Sequence, residues 1–125
     1  MRPQISQSEF ILMEVLWAEN PLGASEVAKR LDNPKGWSIR TIKTMLARLV
    51  DKEVLMTEPD GRRYLYSPLI QREAYLQSVT KRFTDQLFNG RAAPLVAHLA
   101  SGEGLSDEDI AELEALIATM KKGER

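Results

Sequence analysis

Apolar positions recur with helical period over the first fifty residues, alternate briefly after them, and return to helical period towards the end. Ser6-Gln7-Ser8-Glu9 has the spacing of a capping box, in which a serine caps a helix and a glutamate three residues on reaches back. Phe10, Ile11, Leu12, Met13, Val15, Leu16 and Trp17 follow. They are apolar on most sides, which predicts a deeply buried first helix ended by Asn20-Pro21. Leu22-Gly23 reads as a short extended stretch, and Val27, Ala28 and Leu31 predict a second helix from Ala24 to Leu31. Asn33-Pro34-Lys35-Gly36 is a loop signal.

Ser38 offers an N-cap to a third helix reaching about Lys52, and this helix carries the most information. At about 100° per residue, Ile39, Ile42, Leu46, Leu49 and Val50 fall on one stripe, with Met45 at its edge. Arg40, Thr44, Ala47, Arg48 and Asp51 occupy the opposite stripe, flanked by Thr41 and Lys43. One side is dry and aliphatic; the other is short, polar and cationic. Two strands are then predicted, Val54–Glu58 and Arg63–Ser67, joined through Pro59-Asp60-Gly61-Arg62, since Asp-Gly between β-rich runs is a hairpin signal.

Beyond the hairpin, Leu69, Tyr75, Leu76, Val79, Phe83 and Leu87 form a long helical stripe, interrupted near Asn89-Gly90. Pro94 suits the first turn of a short helix through Leu95, Val96 and Leu99. After a break at Gly102–Gly104, Ser106-Asp107-Glu108-Asp109 starts a last helix with acids at its positive end. Ile110, Leu113, Leu116, Ile117 and Met120 line one of its faces.

Composition then narrows the function. The 125 residues contain no cysteine and one histidine, His98, so thiolate metal sites, disulfides and thiol nucleophiles are excluded. No cofactor, metal site or catalytic activity is expected. No apolar run approaches the ~18 residues that cross a bilayer, and no basic–apolar–small signal opens the chain, so a cytoplasmic protein without membrane insertion is expected. The net charge of −1 hides an asymmetry: residues 1–82 hold 13 Lys/Arg against 10 Asp/Glu, and residues 83–125 hold 4 against 8. The front is basic and the back acidic.

Three helices followed by a hairpin is the order of a winged helix-turn-helix. The fold class expected is therefore mainly α with a small β-hairpin: a winged-helix head over residues 1–70 and a helical dimerisation region over 71–125. A helix enters the DNA major groove when its exposed side chains are short or cationic. Thr41, Thr44 and Ala47 permit close approach, and Arg40, Lys43 and Arg48 can donate to guanine edges or phosphates. At the hairpin tip, Arg62 and Arg63 stand where a wing would meet phosphate or minor groove. Each feature alone also fits ordinary solvated surface; their joint occurrence in this order points to double-stranded DNA. A winged-helix module that binds protein through the third helix remains the alternative. His98 reads as a packed or exposed residue rather than a ligand. The apolar stripes after residue 69 need cover, which either a second copy or the chain's own head would supply.

The stretch Ile5-Ser6 through Glu14-Val15-Leu16-Trp17, then Trp37-Ser38 leading into Thr41-Ile42-Lys43-Thr44 and Leu46-Ala47-Arg48-Leu49, closely resembles the penicillinase-repressor (BlaI/MecI/CopY) family. Arg62-Arg63-Tyr64 with Tyr66-Ser67-Pro68 fits its wing, and Leu105-Ser106 with Glu108 to Leu113 fits its last helix. The resemblance implies a homodimeric repressor whose heads read a palindromic operator of TACA/TGTA-like half-sites, controlling β-lactam-resistance or related stress genes. It implies DNA contacts at Arg40, Thr41, Lys43 and Thr44, and makes the dimer the favoured cover for Leu76, Val79, Phe83, Leu87, Leu113, Leu116 and Ile117. It also implies a membrane sensor–protease system as partner, with His98-Leu99 as the candidate cleavage position. Three departures stand out. His98-Leu99 replaces the family's Asn-Phe pair, the cysteine pairs of copper-responsive members are missing, and Glu53 stands where the family often has glycine.

Overall fold

The computed structural model describes residues 4–32 and 35–123, and the chain divides into two compact units, Met1–Gln77 and Ser78–Arg125. Asn33 and Pro34 of the expected loop lie outside the described residues.

The first unit opens with α1 (Gln7–Ala18), whose capping box is formed as expected: Ser6 Oγ accepts from Glu9 N at 3.0 Å, and Ser6 N donates to Glu9 Oε1 at 2.8 Å. A two-residue strand β1 (Leu22–Gly23) leads into α2 (Ala24–Arg30), and Ser38 caps α3 (Ile39–Asp51) by accepting from Thr41 N at 3.1 Å. The core sits between these helices. Leu12, Met13, Leu16, Val27, Leu46 and Leu49 are wholly buried, and Ile42, Val54 and Leu55 nearly so. Met45, expected at the edge of the stripe, is also buried. Ile39 is not: it is 43% exposed, because it opens α3 a turn ahead of Ile42, the first α3 residue to reach the core.

The hairpin is longer and its turn tighter than expected. Strands β2 (Leu55–Asp60) and β3 (Arg63–Pro68) pair antiparallel from Leu55↔Pro68 to Asp60↔Arg63, leaving Gly61-Arg62 as a two-residue turn. Of those two, glycine alone takes positive φ, at 64°. Pro59 was read as part of the loop but pairs with Tyr64. The sheet order β1-β3-β2 makes β2 an edge strand, where a missing N–H costs no ladder bond. β1 pairs with the other side of β3, Leu22 with Tyr66 and Gly23 with Leu65.

The turn from α3 into β2 is a Schellman motif. Val54 N donates to Leu49 O at 3.0 Å and Glu53 N to Val50 O at 2.9 Å, with Glu53 at φ 64°. A side chain in that left-handed conformation costs roughly 1–2 kcal/mol, part of which glycine gives back through its freer unfolded chain. Glu53→Gly is expected to stabilise the protein by about 0.5–1 kcal/mol, read as a higher urea midpoint at unchanged slope. An unchanged or lower midpoint would show the strain to be relieved elsewhere.

Leu69 belongs to the end of the hairpin, its N–H donating to Val54 O at 2.8 Å, and is 51% exposed; the following helix α4 spans Arg72–Phe88. Its opening turns belong to the first unit. Tyr75 is buried against the rings of Phe10 and Trp17 at 6.0 and 5.7 Å, Trp17 Nε1 donates to Ile70 O at 2.9 Å, and Arg72 makes a two-pronged pair with Glu14.

The second unit contains the rest of α4, then α5 (Ala92–Ser101) and α6 (Asp107–Lys121). Asn89 and Gly90, at φ 52° and 77°, end α4, and Ser106 caps α6 by accepting from Asp109 N at 3.0 Å. Phe88 packs near Phe83 and His98 at 6.2 and 6.3 Å between ring centres. None of the described residues from 78 to 123 is buried.

Candidate nucleic-acid interface

The outward face of α3 follows from its inward one. Ile42, Met45, Leu46 and Leu49 point into the core, which leaves Arg40, Thr41, Lys43, Thr44, Ala47 and Arg48 exposed together. Thr44 Oγ1 donates to Arg40 O at 3.0 Å, so its hydrogen is spent on the helix backbone. What it offers outward is a methyl group and a free lone pair. Ser38 Oγ, besides capping the helix, lies 3.2 Å from Thr41 Oγ1.

Two of the clefts along this helix are lined by its cationic residues. One, of about 250 Å³, is lined by Lys43, the start of α2 at Ala24 and Ser25, and the hairpin residues Arg62, Arg63, Tyr64 and Tyr66. Burial pushes the Tyr66 hydroxyl above its ordinary pKa, so it remains a neutral donor at physiological pH. The other, of about 460 Å³, runs between Ser6, Ser8 and Trp37 on one side and Arg40, Thr41, Thr44 and Arg48 on the other. The helix therefore stands as a ridge with a trough to each side. Among the described residues Arg40, Lys43, Arg48 and Arg62 make no ion pair, whereas Arg63 is paired with Glu26 at 3.3 Å and Asp60 at 3.2 Å.

Sequence reasoning missed the contributions of Ser8, Ala24 and Ser25, which carry no periodic signal and reach the clefts only through the packing of α1 and α2 on α3. It also missed the partner of Glu9. This carboxylate is 2% exposed and lies 2.7 Å from Lys52 Nζ, which also donates to Gln4 O at 3.1 Å. Burial alone would raise the Glu9 pKa. Hydrogen bonds from Lys52 and Ser6, with the lysine's charge, outweigh it and hold the carboxyl below its ordinary 4.5.

A profile of the penicillinase repressor family matches residues 5–119. The penicillinase repressor of Bacillus licheniformis is 34% identical over 119 residues, 95% of this chain and 93% of that protein. The chain belongs to the penicillinase repressor family. It is a DNA-binding transcriptional repressor and not an enzyme. Two solved structures are similar to its head. The solution structure of the DNA-binding domain of the repressor BlaI is 39% identical with a TM-score of 0.53, covering 60% of this chain and 92% of that one. The solution structure of the Bacillus licheniformis BlaI monomeric form in complex with the blaP half-operator is also 39% identical, with a TM-score of 0.51 and the same coverage. The winged-helix expectation for the head is thus met, with β2–β3 as the wing.

The structure locates two of the positions singled out in the sequence. Glu53 occupies the left-handed cap after α3, the conformation that glycine adopts without strain. His98-Leu99 lies inside α5, with Leu99 57% exposed. Among the described residues no helix is long and apolar enough to cross a membrane, and no cluster of three His, Cys, Asp or Glu is arranged to hold a metal ion.

The residues expected to mediate dimerisation lie on α4 and α6. Phe83 and Leu87 are 46% and 61% exposed, Leu116 and Ile117 55% and 51%, while Leu76, Val79 and Leu113 are half-buried.

Proposed function

We propose that two copies of this chain bind a palindromic operator of TACA/TGTA-like half-sites in the cytoplasm and block transcription of the gene beside it. Each copy lays α3 in the major groove. The carrying observation is the ridge: six short or cationic side chains exposed on one face of a helix, with a cleft on either side to take the two phosphate backbones. Thr41, Thr44 and Ala47 let the helix approach, their methyl groups facing thymine methyls, while Arg40, Lys43 and Arg48 donate to base edges or phosphates. The wing brings Arg62, with Arg63 beside it, to the backbone or minor groove. The complex of a BlaI monomeric form with a half-operator supports one head per half-site.

The second copy is called for by the unit of residues 78–125, which would act as the dimerisation domain. Its described residues, 78–123, bury no side chain and so lack the apolar burial that offsets chain entropy. A twofold partner covering Leu76, Val79, Phe83, Leu87, Leu113, Leu116 and Ile117 supplies it. Such a dimer sets its recognition helices about 34–36 Å apart, one turn of DNA. Repression would end when the dimer is lost. A membrane sensor–protease system cutting at His98-Leu99 would have that effect, once the helical backbone of α5 opened to admit the protease.

Lys43→Ala and Thr44→Ala are each expected to weaken operator binding by about 1 kcal/mol or more, with the melting temperature nearly unchanged because both side chains are exposed. Titration with salt should give a steep, log-linear loss of affinity as phosphate contacts release counterions. Normal binding by both variants, or a shallow salt dependence with equal affinity for scrambled duplexes, would overturn the assignment of α3 as the reading helix.

A further inference from the structure

We propose that Arg63 is not a DNA ligand but a positioning residue: together with Glu26 it straps the wing to the start of α2, fixing where the free cation Arg62 stands beside α3. The inference rests on the reading of the wing as a DNA contact and assigns different work to its two neighbouring arginines.

Arg62 is a turn residue, exposed and without an ion pair among the described residues. Arg63, the first residue of β3, is paired instead. Its Nε donates to Asp60 Oδ2 at 3.2 Å, across the last rung before the turn. Its Nη1 donates to Glu26 Oε1 at 3.3 Å, on a different element. That same carboxylate oxygen accepts from Gly23 N at 2.8 Å, so the anchor is itself held by the backbone at the start of α2. The arginine passes close over β1: a Cβ at Gly23 would stand 3.2 Å from Nη1 and 3.6 Å from Arg63 Cδ, so a side chain there would crowd this path. Both edges of the guanidinium are thereby engaged, one cation between two carboxylates. A phosphate approaching that group meets no net positive charge; approaching Arg62 or Lys43 in the same cleft, it does.

Each of these ion pairs is partly exposed and adds little to global stability. Its effect is local. A two-strand ribbon with a two-residue turn is held at its base by β1, and this strap ties it near its tip, so releasing the strap lets the tip swing and spreads Arg62 over more positions.

The test compares Glu26→Gln, Arg63→Ala, their double variant and Arg62→Ala in the full chain, with a palindromic duplex of TACA/TGTA half-sites as the probe. Glu26→Gln keeps an acceptor for Gly23 N while removing the charge. In the free protein, amide exchange around residues 58–65 should quicken in Glu26→Gln and in Arg63→Ala. Affinity should fall roughly two- to fivefold in each, with the double variant no worse than either single one. The slope of affinity against salt should stay unchanged in these three and drop by about 1 per chain in Arg62→Ala. Tighter binding by Glu26→Gln, from an arginine freed to reach phosphate, or a reduced slope in Arg63→Ala, would overturn the proposal. So would unchanged amide exchange. Quicker exchange with unchanged affinity in all four variants would instead refute the wing as a DNA contact, and with it any role of the strap in binding.

Discussion

Leu116→Glu, and independently Leu87→Glu, should convert the proposed dimer into single chains and lower its affinity for the proposed palindromic operator by about a hundredfold or more. The size of the effect comes from linkage between two heads. When one head is seated, its partner is presented to the second half-site at a high effective concentration, and splitting the dimer removes that gain without touching any DNA contact. Glutamate suits both positions as a helix former. The two leucines are 55% and 61% exposed in the single chain, so no charge is forced into a core there. At the proposed apolar interface the same carboxylate would be desolvated, in a region, residues 83–125, that already carries 8 acidic against 4 basic residues. Sedimentation should show the mass of one chain, and binding to an isolated half-site should match the wild type. A variant that still sediments as two chains and binds the whole operator normally would refute the proposed interface. Loss of half-site binding as well would show that the substitution had damaged the head.

What the sequence made legible, and what it did not, divides along a physical line. Features set by local chemistry were readable. The capping box at Ser6 and Glu9, the N-caps Ser38 and Ser106, and the split of α3 into a dry and a wet face all depend on residues within a turn or two of one another. Features set by the meeting of distant segments were not. The Asp-Gly signal places Pro59 in the connection, and only the sheet order shows that β2 is an edge, where the proline can pair. Leu69 was assigned to a helix because its spacing to Tyr75 fits one, yet its N–H is claimed by Val54 O in the hairpin. Likewise no local pattern distinguishes Arg62 from Arg63. The difference lies in Glu26, 37 positions away along the chain, and in the absence of a side chain at Gly23. Glu53 is the intermediate case. The cap that follows α3 is a local signal, but the positive φ at Glu53 shows only in the bonds that Glu53 and Val54 return to Val50 and Leu49.

Lys52→Met is expected to destabilise the head by about 2–3 kcal/mol and, more tellingly, to remove the acid sensitivity that the Glu9–Lys52 pair gives its stability. The lysine closes α3 while Glu9 lies in the first turn of α1, so the pair joins the negative end of one helix to the positive end of the other. Lys52 is 29% exposed and can turn to water when its partner goes; Glu9, at 2%, cannot. Removing the cation is therefore the costlier change, since it leaves a buried carboxylate unpaired. Glu9→Gln, which keeps an acceptor for Ser6 N, should cost only about 1 kcal/mol. The sign with pH follows. In the wild type the Glu9 pKa is depressed on folding, so its stabilisation is complete above the unfolded value of 4.5 and is lost as pH falls through the lower folded value. Without Lys52, burial is opposed only by the Ser6 hydrogen bonds, so the folded pKa moves up towards or past the unfolded one. The variant's penalty relative to the wild type is then largest at neutral pH and shrinks on acidification. Urea midpoints measured from pH 7 down to pH 4 should accordingly converge between Lys52→Met and the wild type as pH falls, with Glu9→Gln showing the weakest dependence. Parallel curves for all three proteins would mean that Glu9 and Lys52 titrate as independent surface groups, and the link between α1 and α3 would have to be sought in the aliphatic core alone.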